Sequence, residues 1–105
     1  MSARRELPQR RYAETFELRH ISCRDPFMVT VGCYPNGDLG EVFISGAKAG
    51  SDFESVARDG AVLLSLALQY NIPLETIRRA VTRNHDGSAS TIIGAVVDRL
   101  GLVRK

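Results

Sequence analysis

Three observations predict an α+β fold. Residues 12–20 and 27–34 alternate apolar and polar side chains, as half-buried strands do. The turn residues Pro35-Asn36-Gly37-Asp38 then send a third short stretch, 39–45, back antiparallel. After residue 50 the apolar positions change to a 3.6-residue spacing. Strands come first and helices follow, so the helices should gather on one side of the sheet. The expected order is β-β-β-α-α-α: a three-stranded antiparallel meander, then a long helix and two shorter helices.

Each element has its own signal. In the first strand Tyr12, Phe16 and Leu18 should share one face, with Thr15, Glu17 and Arg19 on the other. Phe27, Val29, Val31 and Cys33 do the same in the second. A meander this short needs a cover, and the long helix supplies it. Ser51 and Glu54 stand at capping-box spacing at its start. Phe53, Val56, Ala57, Gly60, Leu64, Ala67 and Leu68 form the stripe expected to face the sheet. Asn71-Ile72 ends the helix. Pro73 opens a second one in the first turn, where proline is tolerated, with Leu74, Ile77 and Val81 as its face. A polar stretch with an Asp86-Gly87 turn leads to the third. Ser88 or Ser90 should cap it, Ile92, Ile93, Val96, Val97 and Leu100 line it, and Gly101 fits its C-terminal cap.

A chain of 105 residues has room for one core. Its 44% hydrophobic content is that of an ordinary globular protein, and no apolar run reaches the ~20 residues of a membrane span. No apolar segment follows the N-terminal arginines, so no secretory signal is read. Two cysteines without CxxC spacing, Cys23 and Cys33, suit a reduced, cytoplasmic protein. Charge is unevenly placed. Residues 1–11 carry Arg4, Arg5, Arg10 and Arg11 against Glu6, net +3, while the whole chain is +2, which leaves −1 for residues 12–105. The expectation is a basic, disordered leader over 1–11 and one domain over 12–105. The leader arginines are the candidates for nucleic-acid contact, a less favoured alternative to a solvated tail.

Chemistry is sparsely signalled. The loop at Lys48, Gly50 and Ser51 precedes a helix and is a weak anion-site candidate. It lacks the Walker order, and Asp52 and Glu54 would repel a phosphate there. His20-x-x-Cys23 has no second pair at ligand spacing, so no metal is expected. No nucleophile and base share an element, so no catalytic residue and no cofactor is assigned.

The succession Asn36-Gly37-x-x-Gly40-Glu41-Val42-Phe43-Ile44, Lys48-Ala49-Gly50-Ser51, Leu64-Ser65-Leu66-Ala67-Leu68-Gln69-Tyr70-x-Ile72-Pro73-Leu74-Glu75 resembles the TSCPD domain family. The likeness covers roughly 27–100. That module forms the C-terminal part of adenosylcobalamin-dependent (class II) ribonucleotide reductases and occurs as short stand-alone proteins. The resemblance implies cysteine metal ligands. The positions open to them here read Phe27-Met28, Ser51 and residues 84–90, and Ser88-Ala89-Ser90-Thr91 lacks the naming signature, so that site is expected to be missing. At this length there is no room for the radical cysteine, redox pair or cobalamin pocket of a reductase.

The reading is therefore a non-catalytic accessory or protein-interaction module related to the reductase C-terminal domain, not an enzyme on its own. The alternative is a detached domain that contributes to ribonucleotide reduction in a larger complex. A two-fold dimer is expected, with a protein partner as the other possibility and no membrane. Lightly charged strand edges invite pairing. Leu63, Leu66 and Tyr70 form a second apolar stripe, and Val62 lies in line with the polar stripe Ser55, Arg58, Ser65 and Gln69. Val62, Leu63, Leu66 and Tyr70 are the interface candidates.

Overall fold

The computed structural model describes residues 3–46 and 52–103. The Ser51 cap and the anion candidates Lys48, Gly50 and Ser51 lie outside the described residues. Three antiparallel strands, β1 (Ala13–Leu18), β2 (Phe27–Cys33) and β3 (Leu39–Gly46), form a sheet in the order β1-β2-β3. Helices α1 (Asp52–Gln69), α2 (Leu74–Ala80) and α3 (Ile92–Val103) follow, which makes the fold α+β as the sequence predicts.

Local chemistry sets the register. In the β2–β3 turn the Asn36 side chain accepts the Asp38 N–H at 3.0 Å, and Gly37 takes a φ of 94° that a side chain would resist. Pairing then runs Phe27↔Gly46 to Gly32↔Glu41, with a bulge between Gly32 and Cys33. This alternation puts Phe27, Val29, Val31, Val42 and Ile44 on one buried face. Ala57, Ala61, Leu64 and Leu68 of α1 and Ile92, Val96, Val97 and Leu100 of α3 close over it. Each fully buried aliphatic side chain adds about 1.5–3 kcal/mol.

Several details differ from the sequence reading. The buried stripe of α1 runs 57-61-64-68, and Val56, expected inside, is turned about 100° from Ala57 and is exposed. The cap of α3 is Thr91, whose Oγ1 accepts the Gly94 N–H at 3.1 Å. Ser88 and Ser90 are instead used in the tight turn before it. Ser88 bonds Asp86, and Ser90 donates to Asn84 Oδ1 at 2.8 Å. Gly101 lies inside α3, not at its end. Its role is room: a Cβ there would sit 2.8 Å from Arg78 Cδ, so glycine lets the Arg78 side chain pass across the helix.

That arginine belongs to the ion-pair network joining α2 to α3. Arg83 clasps both oxygens of Asp98, at 2.5 and 2.7 Å, and donates to the Arg78 carbonyl at 2.7 Å. Arg78 reaches Glu75 at 2.9 Å and Asp98 at 3.4 Å. Two-pronged carboxylate–guanidinium contacts are the stronger kind. The hydrogen bonds from Arg83 hold the Asp98 carboxyl below its ordinary range, against the opposing effect of burial.

A depressed folded-state pKa contributes stability above the unfolded-state value and loses it as pH falls through the folded value. Between about pH 5 and pH 2 the native protein should therefore lose urea stability more steeply than Asp98→Asn. Parallel curves for the two proteins would show that this carboxylate is not linked to folding.

Candidate functional site

The most organised polar site lies along the edge of β3. Backbone alternation turns the N–H and C=O groups of Gly40, Val42 and Ile44 away from β2, where an unpaired edge would attract another strand. Helix α1 runs beside this edge and caps it. Ser65 Oγ accepts the Val42 N–H at 2.8 Å and lies 3.1 Å from the Val42 carbonyl. One turn on, Gln69 Nε2 donates to the Gly40 carbonyl at 2.8 Å. The match is geometric: four helical residues rise about 6 Å, and two strand residues about 6.8 Å. In the sequence Ser65 and Gln69 fall on a polar stripe that reads as water-facing. The available signal was two polar residues at i and i+4 in an otherwise apolar stretch. Gln69 is only 5% exposed, the one buried polar residue among those described.

Residues 3–11, read from sequence as a solvated leader, take no helix or strand, yet they lie against this site. Arg4 Nε donates to Gln69 Oε1 at 2.6 Å, and the Arg5 N–H donates to the Gln69 carbonyl at 2.8 Å. Tyr34 donates its hydroxyl to the Arg5 carbonyl at 2.6 Å. The Arg5 guanidinium stacks 3.7 Å from the Tyr34 ring centre and pairs with Asp38 at 3.2 Å. Arg11 pairs with Glu41, whose hydrogen bond raises the guanidinium pKa. Three of the four nucleic-acid candidates thus make contacts within the chain, and Arg10 remains exposed.

The four interface candidates fall on two surfaces. Val62 and Leu66 line an open groove between α1 and β3, with Phe43 and Arg58. Leu63 and Tyr70 do not line that groove; Val56 and Leu63 lie seven residues apart on α1, and Tyr70 follows at the same interval, directly after the helix ends. Their exposures are 68% for Val56, 69% for Leu63 and 43% for Tyr70.

The soft ligands are dispersed. His20 spends both ring nitrogens on structure, Nε2 at 2.9 Å from the Ala89 carbonyl and Nδ1 at 2.6 Å from Ser22 Oγ. Cys23 packs against the core, Cys33 is buried on the inner side of β2, and His85 is exposed. Among the described residues no three His, Cys, Asp or Glu side chains come together as a metal-binding group. No helix among them is long and apolar enough to cross a membrane.

Ser65→Ala should strand the Val42 N–H beside the helix. The expected loss is about 1–3 kcal/mol in urea unfolding, with faster hydrogen exchange at the Val42 amide. Unchanged stability and protection would mean that Ser65 does not hold the edge.

The model of the TSCPD domain matches residues 2–102. This is wider than the 27–100 that the motifs carry, and it takes in the arginine-bearing segment that lies on Gln69. The chain is 38% identical over 74 residues to a "Vitamin B12-dependent ribonucleotide reductase" of Rhodopirellula baltica, covering 70% of this chain and 7% of the relative. It is 34% identical over 79 residues to the protein of that name from Agrobacterium fabrum, covering 75% of this chain and 6% of the relative. With the Bradyrhizobium diazoefficiens protein of that name the identity is 33% over 82 residues, 78% of this chain and 6% of the relative. The chain thus spans less than a tenth of the length of the curated relatives it matches. No solved structure matches it. A family match over nearly the whole chain, on a fold whose β3–α1 pair carries the motif residues, makes this chain a member of the TSCPD domain family.

Proposed function

We propose that this chain is a non-catalytic protein-interaction module, related to the C-terminal region of vitamin B12-dependent ribonucleotide reductases. The observation that carries this reading is the outer stripe of α1. Val56 and Leu63 stand in register on an 18-residue helix, with Tyr70 seven positions on, just past its end, and Leu63 is more than two-thirds exposed. A seven-residue recurrence of large apolar residues suits contact with another helix. The simplest such contact is two-fold self-association, the commonest form of oligomer.

A second reading is a detached domain that supports ribonucleotide reduction in trans. It is favoured by the names of the relatives, which are all "Vitamin B12-dependent ribonucleotide reductase". Restored turnover when this chain is added to such a reductase lacking its matching C-terminal region would support it. No change would count against it.

Light scattering at tens of micromolar tests self-association. The expected mass is twice the 11.6 kDa of one chain. Leu63→Glu, at an exposed position, should leave a folded protein of single-chain mass. A native protein of single-chain mass would exclude the dimer. A folded, still dimeric Leu63→Glu would move the interface off this stripe.

A further inference from the structure

We infer that the groove between β3 and α1 is a docking site for a short acidic segment of a partner protein, anchored by a bulky apolar side chain. This rests on the interaction-module reading and gives the partner a chemistry. Three observations support it.

The groove has a shallow floor of small residues. Ala61 and Ser65 stand one helical turn apart there, beside Ile44. Its walls are apolar and open to solvent: Phe43 and Val62 are each 56% exposed. Ser65 already holds the Val42 N–H and Gln69 the Gly40 carbonyl, and Ile44 is 3% exposed, so the occupant is recognised through side chains.

The charges fix the chemistry of the occupant. Arg4 and Arg58 line the groove, and neither has a carboxylate partner among the described residues. The acid among its lining residues, Glu41, is already paired with Arg11. Arg4 is held by Gln69, so it stands at the C-terminal end of α1, while Arg58 lies in its N-terminal half. Eleven residues separate Arg58 from Gln69, which is about 16 Å of helix. An extended chain covers that span in about five residues. The occupant is thus an extended segment with carboxylates about five residues apart and a large apolar residue between them. Its acids would face the two guanidinium groups while its apolar side chain sits above Ala61, between Phe43 and Val62. Complementary charge of this kind sets partner choice and association rate.

The test uses the full chain and a displayed library of random octapeptides. Selected peptides should carry two acids four to six positions apart around a Leu, Ile, Phe or Met. A synthetic winner titrated into isotope-labelled protein should shift the amides of Ile44, Val62 and Ser65. Binding should weaken as salt rises, and Arg58→Glu should weaken it about tenfold while leaving the circular dichroism unchanged. Val62→Asp is a second variant, at an exposed position, and should abolish it. Winners without acids, or binding indifferent to both variants, would overturn the proposal. So would tighter binding of a single-stranded oligonucleotide to the same amides, or concentration-dependent shifts there from the protein alone. Failure here with a Leu63-dependent dimer intact would sink the groove and leave the interaction-module reading standing. Groove binding with no dimer would do the reverse to the outer stripe.

Discussion

The fold depends on how the β3 edge is closed. A three-stranded sheet has two edges, and this one places its third strand where every second residue offers an unpaired N–H and C=O. Covering those groups with a fourth strand would need more chain. Instead α1 lies alongside, and Ser65 and Gln69 supply hydrogen bonds at the strand's own repeat. The same helix must also bury Ala57, Ala61, Leu64 and Leu68. Two demands about 90° apart on the helix surface fix both its rotation and its height above the sheet. An alanine at 61, where a leucine would hold the helix away, permits the close approach that puts Ser65 within 2.8 Å of a backbone nitrogen.

This arrangement explains the Ser-Leu-Ala-Leu-Gln run. Leu64 and Leu68 are buried, Ser65 and Gln69 cap the edge, and Leu66 borders the groove beside Ser65. Each residue answers to a different neighbour, and the run has little freedom to vary without losing one of them. Gln69 is the most constrained. Its amide nitrogen serves Gly40, its amide oxygen receives Arg4, and its backbone carbonyl receives Arg5. Buried amides with every group occupied tend to fix a structure, because any shift leaves one of them unsatisfied.

Periodicity and turn chemistry made the element order legible, since both are local. The meander, the sheet-facing valines and the three helices follow from patterns over a few residues. Relations between distant segments were not legible. Ser65 and Gln69 look like solvent-facing residues until β3 is placed beside them, 23 and 29 residues away in sequence. Ser88, Ser90 and Thr91 can all cap, and only the position of the first helical turn chooses Thr91 among them. Gly101 resembled a helix stop because the crossing Arg78 side chain, which it accommodates, comes from another helix. Of the four interface candidates, Leu63 and Tyr70 stay on the outer surface, whereas Val62 and Leu66 turn toward a groove that exists only once the edge is in place.

The lock between the N-terminal segment and Gln69 has a consequence for how the chain is made. The Arg4–Gln69 bond closes a separation of 65 residues. As the polypeptide leaves the ribosome, Arg4 and Arg5 emerge well before the helix that will receive them. The strands can pair as soon as β3 has emerged, through contacts between near neighbours in sequence. The opening segment has no seat until α1 has followed. Contacts that span so much of a chain form late, because the entropy of closing the loop must first be overcome. Until then Tyr34 and the Gly40 carbonyl are open to water, and the nascent sheet carries a bare edge that other chains can reach.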